Sequence, residues 1–353
     1  MYYNQFSPPP PRPELPFSKG NGGAESWVQW LLDSNEIPAY LAAEQALSIM
    51  GAPIRCHFTA WIVADSGIDR AAELIAAKGR FPPCKNPERR YCRAVREIPF
   101  ESTLQFPIPA YHFHTDYRYP EEHGDDTSQT GRIFLYRQSQ VHSPMIPGPP
   151  IGSLRDLQGN EIWDDNYMTT SSPEHQGTRL TGGARLVLNF RGRQDPTQYP
   201  VKMLRPGKFL QNVIHLWLRD FGYAMSDWWN YQYEILMIFV LKRPIGPRLV
   251  NYDCTIGDLA EPFMDWVTMP RSSDTDDESR AKRARIRHEF GRLYLDLKRQ
   301  GTLGEPIKSK WDDDRVPWTV YWKLKAWGVS VHDLEHEKSE WDVVEYDPDR
   351  ENM

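Results

Sequence analysis

The stretch CHFTAWIVADSGIDRAAELIAAKGRF, residues 56–81, decides the fold class. Phe58, Trp61, Ile62 and Val63 form an apolar run of strand length, and Asp65-Ser66-Gly67 reads as a turn. Ile68 to Ala77 then restores a helical period that Gly79 ends. A strand, a turn and a helix in that order are a building unit of α/β folds. Asp65 or Ser66 is placed to cap that helix by accepting from its first amides.

Upstream, AESWVQWLLDSNEIPAYLAAEQALSIMG (24–51) sets Trp27, Trp30 and Leu31, then Ala43, Ala46, Leu47 and Met50, at helix-like spacings. This predicts two helices split near Pro38, with Gly51 as the stop. Residues 1–23 hold four consecutive prolines, Pro8 to Pro11, and then glycines, which resist helix and ladder alike and predict a flexible or polyproline II arm. Downstream, YHFHTDY (111–117), a polar loop and RIFLYRQS (132–139) predict a hairpin. Residues 144–183, rich in Pro, Gly, Ser, Thr and Asp, read as a long irregular insertion, and ARLVLNF (184–190) and YPVKML (199–204) as two further strands.

The remainder is helical. One helix runs from Lys208 to about Gly222 and a second through WWNYQYEILMIFVLKRP (228–244). A third covers about Ser279 to Gln300, with Ile286, Phe290, Leu293 and Leu297 on one stripe and Gly301 beyond its end. A Trp-rich segment, 311–330, and an acidic tail follow. The expected organisation is an arm (1–23), an α/β lobe (24–205), a mostly helical lobe (206–330) and a tail (331–353), with a cleft between the lobes.

Of the 353 residues 40% are hydrophobic, 25% charged and 12% aromatic, the balance of a folded protein. A net charge of −6 provides no global positive field for DNA or anionic lipid, so nucleic-acid contact would need a local patch. No run approaches the length and apolarity of a membrane span, and the start lacks the pattern of a signal peptide, so a cytoplasmic location is expected. The four cysteines, Cys56, Cys84, Cys92 and Cys254, are too scattered for a disulfide framework, and the Cys84–Cys92 spacing is too wide for an ordinary zinc pair.

The run YLAAEQALSIMGAPIRCHFTAWIVADSGIDRAAELIAAKGRF, then YHFHTDY, IFLYRQS and YPVKMLRPGKFLQNVIHLWLRDFG, resembles a set of fungal uncharacterised proteins that are similar to the nucleotidyltransferase-like fold. The resemblance covers roughly residues 38 to 240. It implies a mixed sheet with helices and a site in the cleft. Nucleotidyltransferases carry a Gly-Ser pair and an Asp-x-Asp on the strand because two Mg²⁺ ions must clamp the nucleotide phosphates. The corresponding strand here offers His57, Thr59 and Trp61, which cannot gather two divalent ions.

Candidate chemistry lies elsewhere. His112 and His114 alternate on a strand, so both point to one face about 6 to 7 Å apart, and Asp116 continues that face. A metal there would need a third ligand from Glu121, His123 or His142; acid/base work needs none. Glu234, among Trp228, Trp229, Tyr231 and Tyr233, is a carboxylate whose pKa aromatic burial would raise. Arg137, Arg219, Trp61 and Trp228 are candidate substrate contacts. The third helix sets Arg280, Arg287, Arg292, Lys298 and Arg299 off its apolar stripe, a positive surface that would neutralise phosphates of a structured RNA, or else a solvated face paired with the acidic segment before it. Four acidic clusters (Asp125-Asp126, Asp164-Asp165, Asp274 to Glu278, Asp312 to Asp314) and 13 tryptophans keep a terpene cyclase as a minor alternative.

The expectation is a group-transfer or condensing enzyme of specialised metabolism on a degenerate nucleotidyltransferase-like scaffold. Its partners would be a small-molecule or aminoacyl substrate, with tRNA held by the basic helix as in cyclodipeptide synthases. No cofactor or metal is assigned. The alternative is a non-catalytic ligand-binding protein on the same scaffold.

Overall fold

The protein is described from a computed structural model that covers residues 23–52, 54, 58–79, 107–114, 132–156, 158–175, 192–240, 263–270, 274–308, 312 and 316–330. The proline-rich arm, all four cysteines, Asp116, Glu121, His123, Asp125-Asp126, the strand expected over 184–190 and the acidic tail lie outside the described residues. The rest is a mixed α/β fold built on a six-stranded sheet.

In chain order the elements are α1 (Gly23–Asp33), β1 (Ala39–Ala42), α2 (Ala43–Ile49), β2 (Thr59–Val63), α3 (Ile68–Gly79), β3 (Tyr111–His114), β4 (Arg132–Arg137) and the single turn α4 (Gln138–Val141). Strands β5 (Tyr167–Thr169) and β6 (Lys202–Leu204) follow, then helices α5 (Pro206–Arg219), α6 (Ser226–Ile235), α7 (Phe263–Val267), α8 (Asp277–Arg299) and α9 (Val316–Ala326). The strand order is β3-β4-β2-β1-β6-β5. β2 runs parallel to β4 and β1 parallel to β6, while the β1–β2, β3–β4 and β5–β6 pairs are antiparallel.

The quoted strand-turn-helix is present as β2 and α3, and the hairpin as β3 and β4. Two expectations are corrected. The segment after Pro38 is no helix at first: Ala39–Ala42 is a central strand, paired with β2 from Ala39↔Val63 to Ala42↔Ala60 and with β6 through Leu41↔Met203. Pro38 pushes Ile37 away from helical backbone, and burial between two neighbouring strands then overrides the helix preference of Ala39, Leu41 and Ala42. Ala43, at φ 54°, makes the sharp strand-to-helix bend into α2. The second correction concerns Asp65, whose carboxylate accepts from the backbone N–H and hydroxyl of Ser139, so it anchors α4 at the end of β4.

The irregular segment 144–183 also contributes an edge strand, β5, within its described part. A buried ion pair ties this region to α1. Lys202 Nζ donates to Asp33 Oδ1 at 2.8 Å and to the carbonyls of Pro150 and Gly152, so all three of its hydrogens are used. Asp33 also accepts from Gln29 and from the Tyr199 hydroxyl.

Trp217, Trp266 and Trp327 are packing residues. Trp266 stacks on Phe290 at 4.2 Å, Trp217 lies 5.2 Å from Trp266, and Trp327 lies 5.0 Å from Phe221, which together fix α7, α8 and the chain after α9 against α5. Gly291 permits this approach: a Cβ there would sit 2.7 Å from Val329 Cγ2.

Candidate functional site

A small cleft, with about 30 Å³ of space for water-sized spheres and about 420 Å³ when the open solvent at its mouth is counted, lies between the sheet and helices α5 and α6. Its floor follows from strand register. Tyr40, Ile62 and Tyr136 form one row across β1, β2 and β4, and Ala42 and Ala60 are partners in an adjacent row. Alternation sends these residues to the same face of the sheet. The alanines leave a gap beside two tyrosines, and Phe209, Asn212, Trp228, Trp229 and Gln232 close it from above. The strained Ala43 forms part of the wall.

Each polar group in or behind the cleft has a definite state. His142 Nε2 lies 2.9 Å from the carbonyl of Ile146, and a carbonyl only accepts, so Nε2 carries the ring proton. Nδ1 is therefore an acceptor, and the Tyr40 hydroxyl, 2.8 Å away, donates to it. Burial lowers the His142 pKa and raises those of Tyr40 and Tyr136, which keeps all three neutral at neutral pH. Asn212 is committed to the chain that carries His142: its Oδ1 accepts from Ser143 N at 2.6 Å and its Nδ2 donates to Val141 O. Trp229 is held by its indole N–H, which donates to Asp220 Oδ2 at 2.6 Å.

Among the described residues the lining contains no carboxylate, lysine or arginine. Such a surface favours a flat, neutral guest that buries apolar area and makes a few hydrogen bonds. Tyr40 is fully buried and its hydroxyl is spent on His142, so it shapes the floor of the cleft rather than offering a ligand a hydrogen bond. The Gln232 amide supplies both a donor and an acceptor.

Of the residues singled out in the sequence, Trp228 lines this cleft. His112 is buried on the same face as the floor, edge-on to Phe134 at 5.6 Å, and His114 lies two residues on along β3. Trp61 is fully buried, and alternation sends it to the opposite face from Ala60 and Ile62. Arg137, part-exposed, pairs with Asp69 at 3.4 Å. Arg219 is buried and uses its guanidinium on both oxygens of Asp220 and on the Gln140 carbonyl. Glu234 is exposed and accepts from Asn230 one turn earlier. On α8, Arg280 pairs with Asp277 and Arg299 with Asp296, while Arg287 and Arg292 are exposed and Lys298 is half-buried.

Among the described residues no three His, Cys, Asp or Glu side chains are placed to hold a metal ion. No described helix is long and apolar enough to cross a membrane. Sequence reasoning passed over Tyr40, Tyr136, Asn212 and Gln232. Tyr40 was hidden inside a supposed helix, and Tyr136 shows its direction only once the β2–β4 register is known. Comparison of the chain with family models, with curated proteins and with solved structures gives no match.

Proposed function

We propose that this protein binds a small, flat, neutral molecule in the cleft between the sheet and α5/α6, on a scaffold resembling the nucleotidyltransferase-like fold. The carrying observation is the cleft's lining of aromatic, aliphatic and neutral amide side chains, which holds no charged group among the described residues. This is the ligand-binding form of the two sequence expectations. A scaffold whose strand presents Thr59 and Trp61 in place of paired acids suits binding without metal-assisted transfer.

The test is calorimetry with two flat probes of like shape, neutral indole and the anion indole-2-carboxylate. Indole is expected to bind more tightly by at least about tenfold, since a dry uncharged lining penalises a charge. Equal binding of the two probes, or binding of neither, refutes the reading.

The second reading is a group-transfer enzyme, favoured by the Tyr40–His142 pair, because an imidazole acceptor on a phenol hydroxyl is the arrangement of an assisted proton donor or nucleophile. It predicts that Tyr40→Phe removes turnover while indole still binds. The aminoacyl-tRNA form of that reading rests on Arg287 and Arg292, and charge reversal at both should then remove salt-dependent RNA binding.

A further inference from the structure

We propose that Arg155 and Arg193 form a second, separate binding site, beyond the edge strand β5, that takes a single oxyanion group, phosphoryl or carboxylate. Two guanidinium groups converge there on one residue. Arg155 donates through Nη2 to Ser171 Oγ at 2.6 Å and through Nη1 to the Pro196 carbonyl at 2.6 Å. Arg193 donates through Nε to the Ser171 carbonyl at 2.7 Å. All three acceptors are neutral, and among the described residues neither guanidinium is ion-paired to a carboxylate.

The surrounding acids hydrogen-bond to other groups, although the Glu161 charge also acts on Arg155. Glu161 Oε1 accepts from the N–H and hydroxyl of Thr169, and Glu174 grips Arg205 with both oxygens. Asp156 is closed on the turn at Gln158 and Asn160, and Asp195 on Thr197. His175, fully buried in the same neighbourhood, is held neutral by burial, its pKa lowered to about 4. Burial lowers the pKa of Arg155, opposed by the nearby Glu161 carboxylate and reinforced by Arg193. Two guanidinium groups facing one carboxylate leave a net positive charge that a bound anion would balance.

The donors left over suit such an anion. Arg193 is exposed and its two terminal nitrogens are engaged by no described residue, and Arg155 keeps its Nε. A guanidinium fork matches the paired oxygens of phosphate or carboxylate, which a point-charge lysine would not reproduce. The site is separate from the cleft and stands whatever the cleft binds.

The experiment is a thermal-unfolding titration of the full chain with sodium phosphate, sodium acetate and sodium chloride at matched ionic strength, with isothermal calorimetry for phosphate. The expected result is a saturable rise of the midpoint with phosphate or acetate and none with chloride. The stronger of the two identifies the source as a phosphoryl or a carboxylate group. Arg193→Gln, which keeps a donor near Ser171, should weaken binding at least tenfold, and Arg193→Lys should recover it only in part. An equal response to all three salts, or the same titration in wild type and both variants, overturns the proposal.

Discussion

Replacing Lys202 by Met tests whether the pair with Asp33 clamps α1 to the sheet. The ammonium is fully buried and holds three acceptors: Asp33 Oδ1 and the Pro150 and Gly152 carbonyls. Methionine fills much of the same volume, so the loss is electrostatic more than steric. Breaking one side of a buried pair costs about 3–5 kcal/mol, since the remaining carboxylate is left without its cation. Against a urea slope of roughly 1–3 kcal/mol/M this is a midpoint shift of more than about 1 M.

The pH dependence provides an independent check. Burial, opposed by Lys202, places the Asp33 pKa at about 6, above its ordinary value of 3.8. A carboxyl raised in the folded state contributes stability that is present at low pH and lost as pH rises through the folded pKa. Without Lys202 that pKa rises further, so the loss extends to higher pH. The gap between wild type and Lys202→Met should therefore be wide at pH 8 and narrow at pH 5. In Asp33→Leu/Lys202→Met the buried charge is gone altogether, and most of the lost stability should return. A single-variant loss below about 1 kcal/mol, or a gap independent of pH, would show that the pair is not a clamp.

Acid should unfold the protein early: burial holds His175 and His215 to pKa values of about 4, so the unfolded chain takes up their protons first and stability falls from about pH 6.5 to pH 4, by about 3 kcal/mol for each residue, as followed by denaturant titration at stepped pH. Gly291→Ala should destabilise despite the better helix propensity of alanine, because its Cβ would meet Val329 at 2.7 Å; a rise in the thermal midpoint would contradict the close packing of α8 on that segment. Ala43→Gly should stabilise by up to about 1 kcal/mol in urea titration, since glycine adopts φ 54° without strain, whereas Ala43→Val should lose at least as much. Asp65→Ala should cost about 1 kcal/mol by freeing Ser139 N, with the loss read in the same titration.

How far the sequence reveals this molecule depends on which interactions fix each part. β2, α3, the β3–β4 hairpin and the apolar stripe of α8 are legible because each carries its period within its own residues. β1 is not: Ala39 to Ala42 has the composition of a helix, and its strand state comes from Val63, Ala60 and Met203, all distant in sequence. Losing β1 loses the site as well, since the cleft floor is the β1–β2–β4 register and Tyr40 stands in it.

The charged residues show the same limit from the other side. Arg219 and Glu234 look equally functional in sequence, one at a helix end and the other among aromatics. Arg219 turns inward onto Asp220, which also holds Trp229 and the Ile307 amide, whereas Glu234 faces solvent. Arg219 thus acts on the cleft at one remove: Asp220 fixes Trp229, and Trp229 forms the roof. Asp220→Asn, which weakens the grip on Arg219 and leaves an amide hydrogen facing its donors, should loosen the roof before it unfolds the sheet. Its expected signature is a red-shifted tryptophan emission and weaker indole binding at a temperature where far-ultraviolet circular dichroism is unchanged. Simultaneous loss of both signals would instead make Asp220 a support of the whole fold.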